Sequence, residues 1–313
     1  MTAPEQGPVV VSGATGLVGG RLLPALLRAG HPVRALTRDP SRARFPGGAM
    51  RRGPIVDPVA WDGVRPPPEA LSGAAAVVHL AGEPVFGGLL TAARRARVRE
   101  SRVRSTEALV EALGALPPAA RPRTLVCASA VGYYGDRGEQ ELDEAQPPGD
   151  GFLAEVCVAW EAAAARATPL GVRVVSLRIG IVLAREGGAL PQMALPVRFG
   201  LGGPLGNGRQ WVPWIQLDDL VALTLRTLDD ASLAGPVNAV APAPARNADL
   251  TAAIARRVRR PAFVRVPAFV LRAALGDLAV EVLGSRRCVP RRALDAGFRF
   301  AHESLESALA EEL

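Results

Sequence analysis

The chain has 313 residues, 49% of them hydrophobic, a net charge of +7, three cysteines and three histidines. That is enough for one large α/β domain with an appendage, or for two domains. The wide spacing of Cys127, Cys157 and Cys288, and of His31, His79 and His302, excludes a disulfide framework and zinc chemistry, so no metal is expected. No apolar run reaches the roughly 18 residues of a membrane span, and MTAPEQGPVVV has no basic region ahead of an apolar stretch, so no signal peptide is expected. The expectation is a cytoplasmic protein with no membrane partner.

Taken in chain order, residues 8–12 (PVVVS) form a β-rich apolar run ending in a glycine turn, and 17–30 follow with helical periodicity closed by Gly30. Residues 32–37 are the next strand, completing a β-α-β unit of about 30 residues. The proline-rich RPPPEA (65–70) reads as a surface loop. Strands are predicted at 75–82, 123–130, 172–180 and 236–240. Helices are predicted at about 89–113, 151–167 and 218–230, the last with Asp218 and Asp219 complementing its dipole. This alternation predicts an α/β fold, a doubly wound parallel-sheet Rossmann domain over 1–240, with a substrate-lining loop at about 181–217. Residues 241–313, short helical stretches broken by Pro and Gly, read as a small, mainly helical C-terminal region on the substrate side.

All 37 basic residues are arginine. Without lysine the chain cannot form a Schiff base, use a P-loop lysine, or acidify a tyrosine with an ammonium group. The arginines of 94–104 wrap around a predicted helix with no aromatic residues between them, so a nucleic-acid partner is not expected.

The segment V-S-G-A-T-G-L-V-G-G lies between a strand and a helix, the context a dinucleotide-binding turn needs. Gly13 allows the tight turn, Gly16 lets backbone approach a pyrophosphate, and Gly19 lets the helix pack closely on the strand. The helix N-terminus then offers free N–H groups and partial positive charge to the phosphates. Following the second strand, Arg38 suits a 2′-phosphate, with Arg42 near it. Asp39 keeps the ribose 2′-hydroxyl, and hence NAD, as the alternative. NADP(H) is the expected cofactor.

Six segments carry a wider resemblance: HLAGEPV (79–85), SRVRST (101–106), SAVGYYG (129–135), GFLAEVCVAWE (151–161), LRIGIVL (177–183) and GLGGPLGNGRQWVPWIQLDDL (200–220). Together they resemble the atypical or extended short-chain dehydrogenase/reductase superfamily. Within it they resemble the NAD-dependent epimerase/dehydratase-like "epimerase family protein" group, whose members carry a small C-terminal domain. The resemblance covers nearly the whole chain. It implies cofactor contacts from Gly13, Thr15, Gly16, Leu17, Val18 and Gly19, from Thr37 and Arg38, from Leu80, Ala81, Gly82 and Glu83, and from Ser129 or Ala130. It also implies a serine or threonine and a Tyr-x-x-x-Lys pair, from which this chain departs. Ala130 stands at the usual serine position, Leu153 and Cys157 where tyrosine and lysine belong, and Arg102 at a usual asparagine. Tyr134, Tyr133, Ser129 and Arg102 are then the catalytic candidates, and Cys157, among Val156, Val158 and Trp160, is read as a core thiol. Arg209, Gln210 and Trp214, with Trp211, fall where related chains line their substrate and suit an anionic or ring-bearing ligand. The reading is an NADP(H)-binding oxidoreductase or epimerase acting on a small polar molecule, free to form a homodimer. The alternative is a non-catalytic NADP(H)-binding sensor or scaffold.

Overall fold

The protein is described by a computed structural model over residues 7–43, 45, 56–86 and 88–313; the start of the segment read for a leader lies outside the described residues. Its central sheet has seven strands: β1 (Val9–Ser12), β2 (Val33–Thr37), β3 (Val56–Ala60), β4 (Ala76–His79), β5 (Thr124–Ala130), β6 (Arg173–Ile179) and β7 (Gly235–Ala239). The order is β7-β6-β5-β4-β1-β2-β3 and every neighbouring pair is parallel. The chain runs outward from β1 to β3, then restarts with β4 on the other side of β1. The crevice at the carboxyl ends of β1 and β4 is therefore the topological switch point, where ligands bind in open α/β sheets.

All residues of β1 and β4 are buried. That is why they read as continuous apolar runs, since a parallel sheet is covered on both faces. Helices Leu17–Arg28 and Leu217–Asp229 cover one face. Helices Ala92–Ala115 and Phe152–Ala165 cover the other, and Trp160 Nε1 donates to Thr106 Oγ1 at 2.9 Å between them.

Two local readings need correction. VDPVA (56–60) forms edge strand β3, which its Asp and Pro disguise; Pro58 is tolerated because no strand among the described residues pairs beyond the edge. RPPPEA is not loop throughout. Pro68–Leu71 makes a helical turn, with Pro68 at the first helical position and Ala70 and Leu71 buried.

A second lobe draws on two separated stretches. Leu183, Leu190, Ala194 and Trp214, from the long connection after β6, share one apolar core with Leu250, Ile254, Ala308 and Leu309. A short strand Trp211–Val212 pairs antiparallel with Ala245–Arg246. Ala293 and Phe300 return to the core beneath the sheet. Apolar packing thus continues across residue 240. Among the described residues no helix is long and apolar enough to cross a membrane.

Candidate functional site

The glycine turn is tight for reasons of space. Gly13 has φ +70°, and a Cβ there would stand 2.9 Å from the Leu80 carbonyl carbon. A Cβ on Gly19 would stand 2.2 Å from the Gly13 carbonyl oxygen and 2.8 Å from Ala14 Cα. Gly16 is different: a Cβ would meet only the Gly13 oxygen, at 3.2 Å, and its outer side is open. Thr15 and Gly16 are exposed, Leu17 and Val18 half-buried, and Gly19 buried. The Gly16 cap has no side-chain partner for the first helical N–H groups, so the helix N-terminus is left facing the crevice.

Beside the turn, at the end of β2, Thr37 is half-buried and Arg38 exposed. Asp39 is turned back on its own chain. Its Oδ1 accepts from Ser41 Oγ at 2.6 Å, Ser41 N at 3.0 Å and Arg42 N at 3.3 Å, and the Ser41 hydroxyl holds its carboxyl below the usual range. Arg42 lies 3.4 Å from the other oxygen. Arg38 has no ion-pair or hydrogen-bond partner among the described residues and lines a cleft of about 790 Å³ with Trp61, Asp62 and Arg65.

The strand exit at Leu80–Gly82 is fixed by a group that scattered-histidine arithmetic overlooked. Ser12 and His79 are direct register partners at the ends of β1 and β4. Ser12 Oγ accepts from the N–H of Leu80 (3.2 Å) and Ala81 (3.3 Å) and meets His79 Nδ1 at 2.6 Å. His79 Nε2 lies 3.2 Å from Ser105 Oγ, whose own proton goes to the Ser101 carbonyl at 2.8 Å. Only one assignment satisfies every partner: Ser12 donates to a bare Nδ1, and Nε2–H donates to Ser105. Burial alone lowers the His79 pKa to about 4 from the ordinary 6.5. A lowered histidine pKa gives stability that is complete above about pH 6.5 and is lost as pH falls toward about 4, because the unfolded chain takes the proton first. Acid should therefore cost up to about 3 kcal/mol at this site. Urea unfolding of wild type and His79→Gln at pH 7 and pH 5 checks this: the variant should lose less stability than wild type between the two.

Arg102 braces the same exit. Its Nη1 donates to the Glu83 carbonyl at 2.9 Å and the Val98 carbonyl at 3.1 Å, and its guanidinium lies 5.3 Å from the Trp160 ring. Gly82 packs against it, since a Cβ there would stand 3.3 Å from Arg102 Cζ. Glu83 takes Ser101 Oγ on its N–H at 3.0 Å and faces Arg97 at 3.4 Å. Arg102 is thus a positioning residue for the loop, engaged with backbone.

At the end of β5 the catalytic candidates part company. Ser129 is buried and donates to Glu161 Oε1 at 2.6 Å. Glu161 receives Arg178 on both oxygens at 2.9 Å, and that pair is nearly dry. Arg178 Nη1 reaches the Tyr134 hydroxyl at 2.9 Å, and this hydroxyl donates to Asn238 Oδ1 at 2.7 Å, with the Asp143 carbonyl at 3.0 Å. Tyr134 has no exposed surface, and burial raises its pKa further from neutrality. The oxygen of Tyr134, one of the two tyrosines expected to carry a proton, is thus enclosed and partnered on every side. Tyr133 is half-buried, with the Arg178 guanidinium 3.4 Å from its ring centre, and its hydroxyl has no partner among the described residues. Leu153 packs against Gly132, and Cys157 is buried. Desolvation pushes the Cys157 thiol up to about 11, and Cys127 and Cys288 up to about 12. None supplies a thiolate near neutral pH.

Two of the three substrate-side candidates are buried. Gln210 is buried and spends its Nε2 on the Leu205 and Val282 carbonyls at 3.1 and 3.3 Å. Trp214 lies at 1% exposure in the lobe core. Arg209 is exposed. Trp211 donates to Glu139 at 2.9 Å, with Arg246 and Arg287 within 4.2 and 5.3 Å of its ring. No cluster that could hold a metal occurs among the described residues.

With this geometry in view, comparison with known proteins is direct. Residues 9–239 match the model of the NAD dependent epimerase/dehydratase family, and residues 266–312 match DUF1731, a domain of unknown function. The chain is 38% identical over 307 residues to the chloroplastic epimerase family protein SDR39U1 homolog of Arabidopsis thaliana, covering 97% of this chain and 86% of that one. A Mycobacterium leprae epimerase family protein is 36% identical over 98% of this chain and 96% of its own. Among solved structures, human epimerase family protein SDR39U1 with NADPH superposes with a TM-score of 0.85 at 32% identity, covering 97% of this chain and 98% of that one.

Proposed function

The chain belongs to the NAD dependent epimerase/dehydratase family, and from that premise we propose that it is an NADP(H)-dependent oxidoreductase or epimerase acting on a small polar, anionic substrate. The observation that carries the cofactor reading is a glycine cradle beside an arginine with no partner among the described residues. Gly13 and Gly19 have no room for a Cβ, Gly16 leaves its outer side open, and Arg38 is exposed while Asp39 is occupied by Ser41. A carboxylate already satisfied by its own turn is a poor acceptor for a ribose hydroxyl, whereas a guanidinium fork matches a phosphate. NADPH in the human relative's structure supports the same reading. Arg38→Ala should weaken NADPH binding about a hundredfold, from the loss of two charge-assisted hydrogen bonds, and leave NADH binding unchanged. Fluorescence titration with both cofactors measures this, and an equal loss for both would remove Arg38 from the 2′-phosphate.

The bound dinucleotide supplies or accepts the hydride. The chain's own residues divide the remaining work. The helix N-terminus at Leu17 receives the pyrophosphate, and Thr37 lies beside Arg38 at the adenosine end. Leu80–Gly82, held by Ser12 and Arg102, form the floor. Among the catalytic candidates Tyr133 is the one whose hydroxyl has no partner among the described residues, so it is the group left to carry a proton, with the Arg178 guanidinium against its ring. Arg209 is the exposed cation for a substrate carboxylate or phosphate.

The experiment is transfer of deuterium from labelled NADPH into a metabolite mixture. Label should appear in one product with wild type and vanish with Tyr133→Phe, while NADPH affinity stays unchanged. Retention of all label by NADPH favours the second reading, a non-catalytic NADP(H) sensor. That reading has its own support in the closed Ser129–Glu161–Arg178–Tyr134 network, whose members satisfy one another.

A further inference from the structure

The second lobe carries an exposed apolar ridge. Phe199, Leu201, Phe263 and Phe269 are between 66% and 77% exposed. They belong to one surface because two stretches run side by side. Val264 N–H donates to the Gly202 carbonyl at 3.1 Å, Val266 N–H to the Pro204 carbonyl at 3.0 Å, and Gly206 N–H to the Val266 carbonyl at 2.8 Å. The chain then enters helix Ala268–Leu275, AFVLRAAL, in which no side chain is buried. Ala268, Leu271 and Leu275 are half-buried and the other five side chains exposed, so this apolar helix has little of the packing that ordinarily stabilises a short helix.

Charge says what covers it. Residues 250–276 contain six arginines and no Asp or Glu. Arg259, Arg260, Arg265 and Arg272, with Arg198 on the neighbouring stretch, are exposed and have no ion-pair partner among the described residues. Protruding Phe and Leu side chains interleaved with unpaired arginines fit the boundary of an anionic bilayer, where rings enter the acyl layer and guanidinium groups meet lipid phosphates. A second copy of this chain fits poorly, because a symmetric contact would press the same cations against one another. We propose that this face docks on anionic membrane surfaces, with Phe263 and Phe269 as the inserting side chains. This is surface attachment without a span. The face is joined to the cofactor side: Asp277, two residues past the helix, pairs with Arg95 on helix Ala92–Ala115, and Gly276 packs near Leu89.

The test is co-sedimentation of the full chain with vesicles of phosphatidylcholine alone or of phosphatidylcholine mixed equally with phosphatidylglycerol. The protein should pellet with the anionic vesicles, remain in solution with the neutral ones, and be released by salt. Phe263→Ser combined with Phe269→Ser should lower the partition at least about tenfold. Arg265→Gln combined with Arg272→Gln should lower it about thirtyfold at low salt. These positions are exposed, so NADPH binding in both variants serves as the check on folding. Equal recovery on both vesicle types, or none on either, overturns the proposal. So does a vesicle-independent dimer in sedimentation velocity that the phenylalanine pair abolishes, which assigns the ridge to a second copy. Saturable binding of a single-stranded oligonucleotide with no vesicle binding also overturns it.

Discussion

Gly19→Ala should leave the protein folded and without useful affinity for NADPH. The new methyl would sit 2.2 Å from the Gly13 carbonyl oxygen, and the obstacle is backbone, which has no rotamer to escape into. The helix must therefore back away from β1, carrying with it the N–H groups meant for the pyrophosphate. Two or three such charge-assisted bonds lost together weaken binding by about a thousandfold or more. The stability cost is smaller, about 1–3 kcal/mol for local overpacking. Titration calorimetry with NADPH and a urea curve on the same preparation separate the two. An affinity within tenfold of wild type would mean that the turn does not hold the pyrophosphate. Gly16→Ala separates fold from ligand: its Cβ would meet a single protein atom, at 3.2 Å, so stability should fall less than in Gly19→Ala while the methyl stands on the open side of the cradle and still weakens NADPH binding.

The second large effect lies beneath the end of β5. Arg178→Met should destabilise the fold by about 3–5 kcal/mol, because it strands the Glu161 carboxylate in a nearly dry site. Ser129 would remain as the only side-chain donor to that carboxylate among the described residues, and Tyr134 would lose one of its partners. In a chain this size that is a fall of about 10 °C in melting temperature. Removing both charges should hurt less than removing one. Arg178→Met with Glu161→Leu should recover much of the loss, since no ion is then left unpaired. A double variant as unstable as the sum of the singles would mean that the two side chains contribute through packing alone. The same pair explains why the network is built from residues far apart in sequence: Glu161 comes from the helix that covers the sheet and Arg178 from the strand beside β5, so the bridge sews cover to sheet.

What the sequence made legible is what neighbouring residues decide among themselves. The glycine spacing, the strand before it and the helix after it are local, and they carry both the fold class and the position of the crevice. The preference at the end of β2 was half legible. Arg38 and Asp39 compete on paper, and only the Ser41 hydroxyl, two residues on, removes Asp39 from the contest. That Asx-type turn could have been read from D-P-S. The two tyrosines were not separable, because adjacent residues in a tight turn take different environments. Tyr134 is enclosed by Asn238, 104 residues away, which no local pattern reveals. The burial of Gln210 and Trp214 is hidden for a related reason. Polar and aromatic residues between glycines read as a ligand loop, whereas the lobe core that encloses Trp214 is completed by residues 241–309. His79 was passed over because histidines were counted along the chain. Its role follows from strand order, which sets it opposite Ser12.

That divided lobe has a consequence for how the protein is made. The stretch holding Leu183, Leu190 and Trp214 leaves the ribosome well before its packing partners at Ile254 and Leu309. Gln216 waits longer still for Glu312, whose carboxylate takes its amide at 2.9 Å and the Arg185 N–H at 2.5 Å. The nucleotide-side helices and β1–β5 can assemble during synthesis, domain portions folding in order of emergence. The substrate side cannot, and in the interval its apolar surfaces are exposed to chaperones and to other nascent chains. Yield in the cell should therefore respond to translation pauses placed between codons 217 and 241 more than to pauses anywhere in the first half of the message.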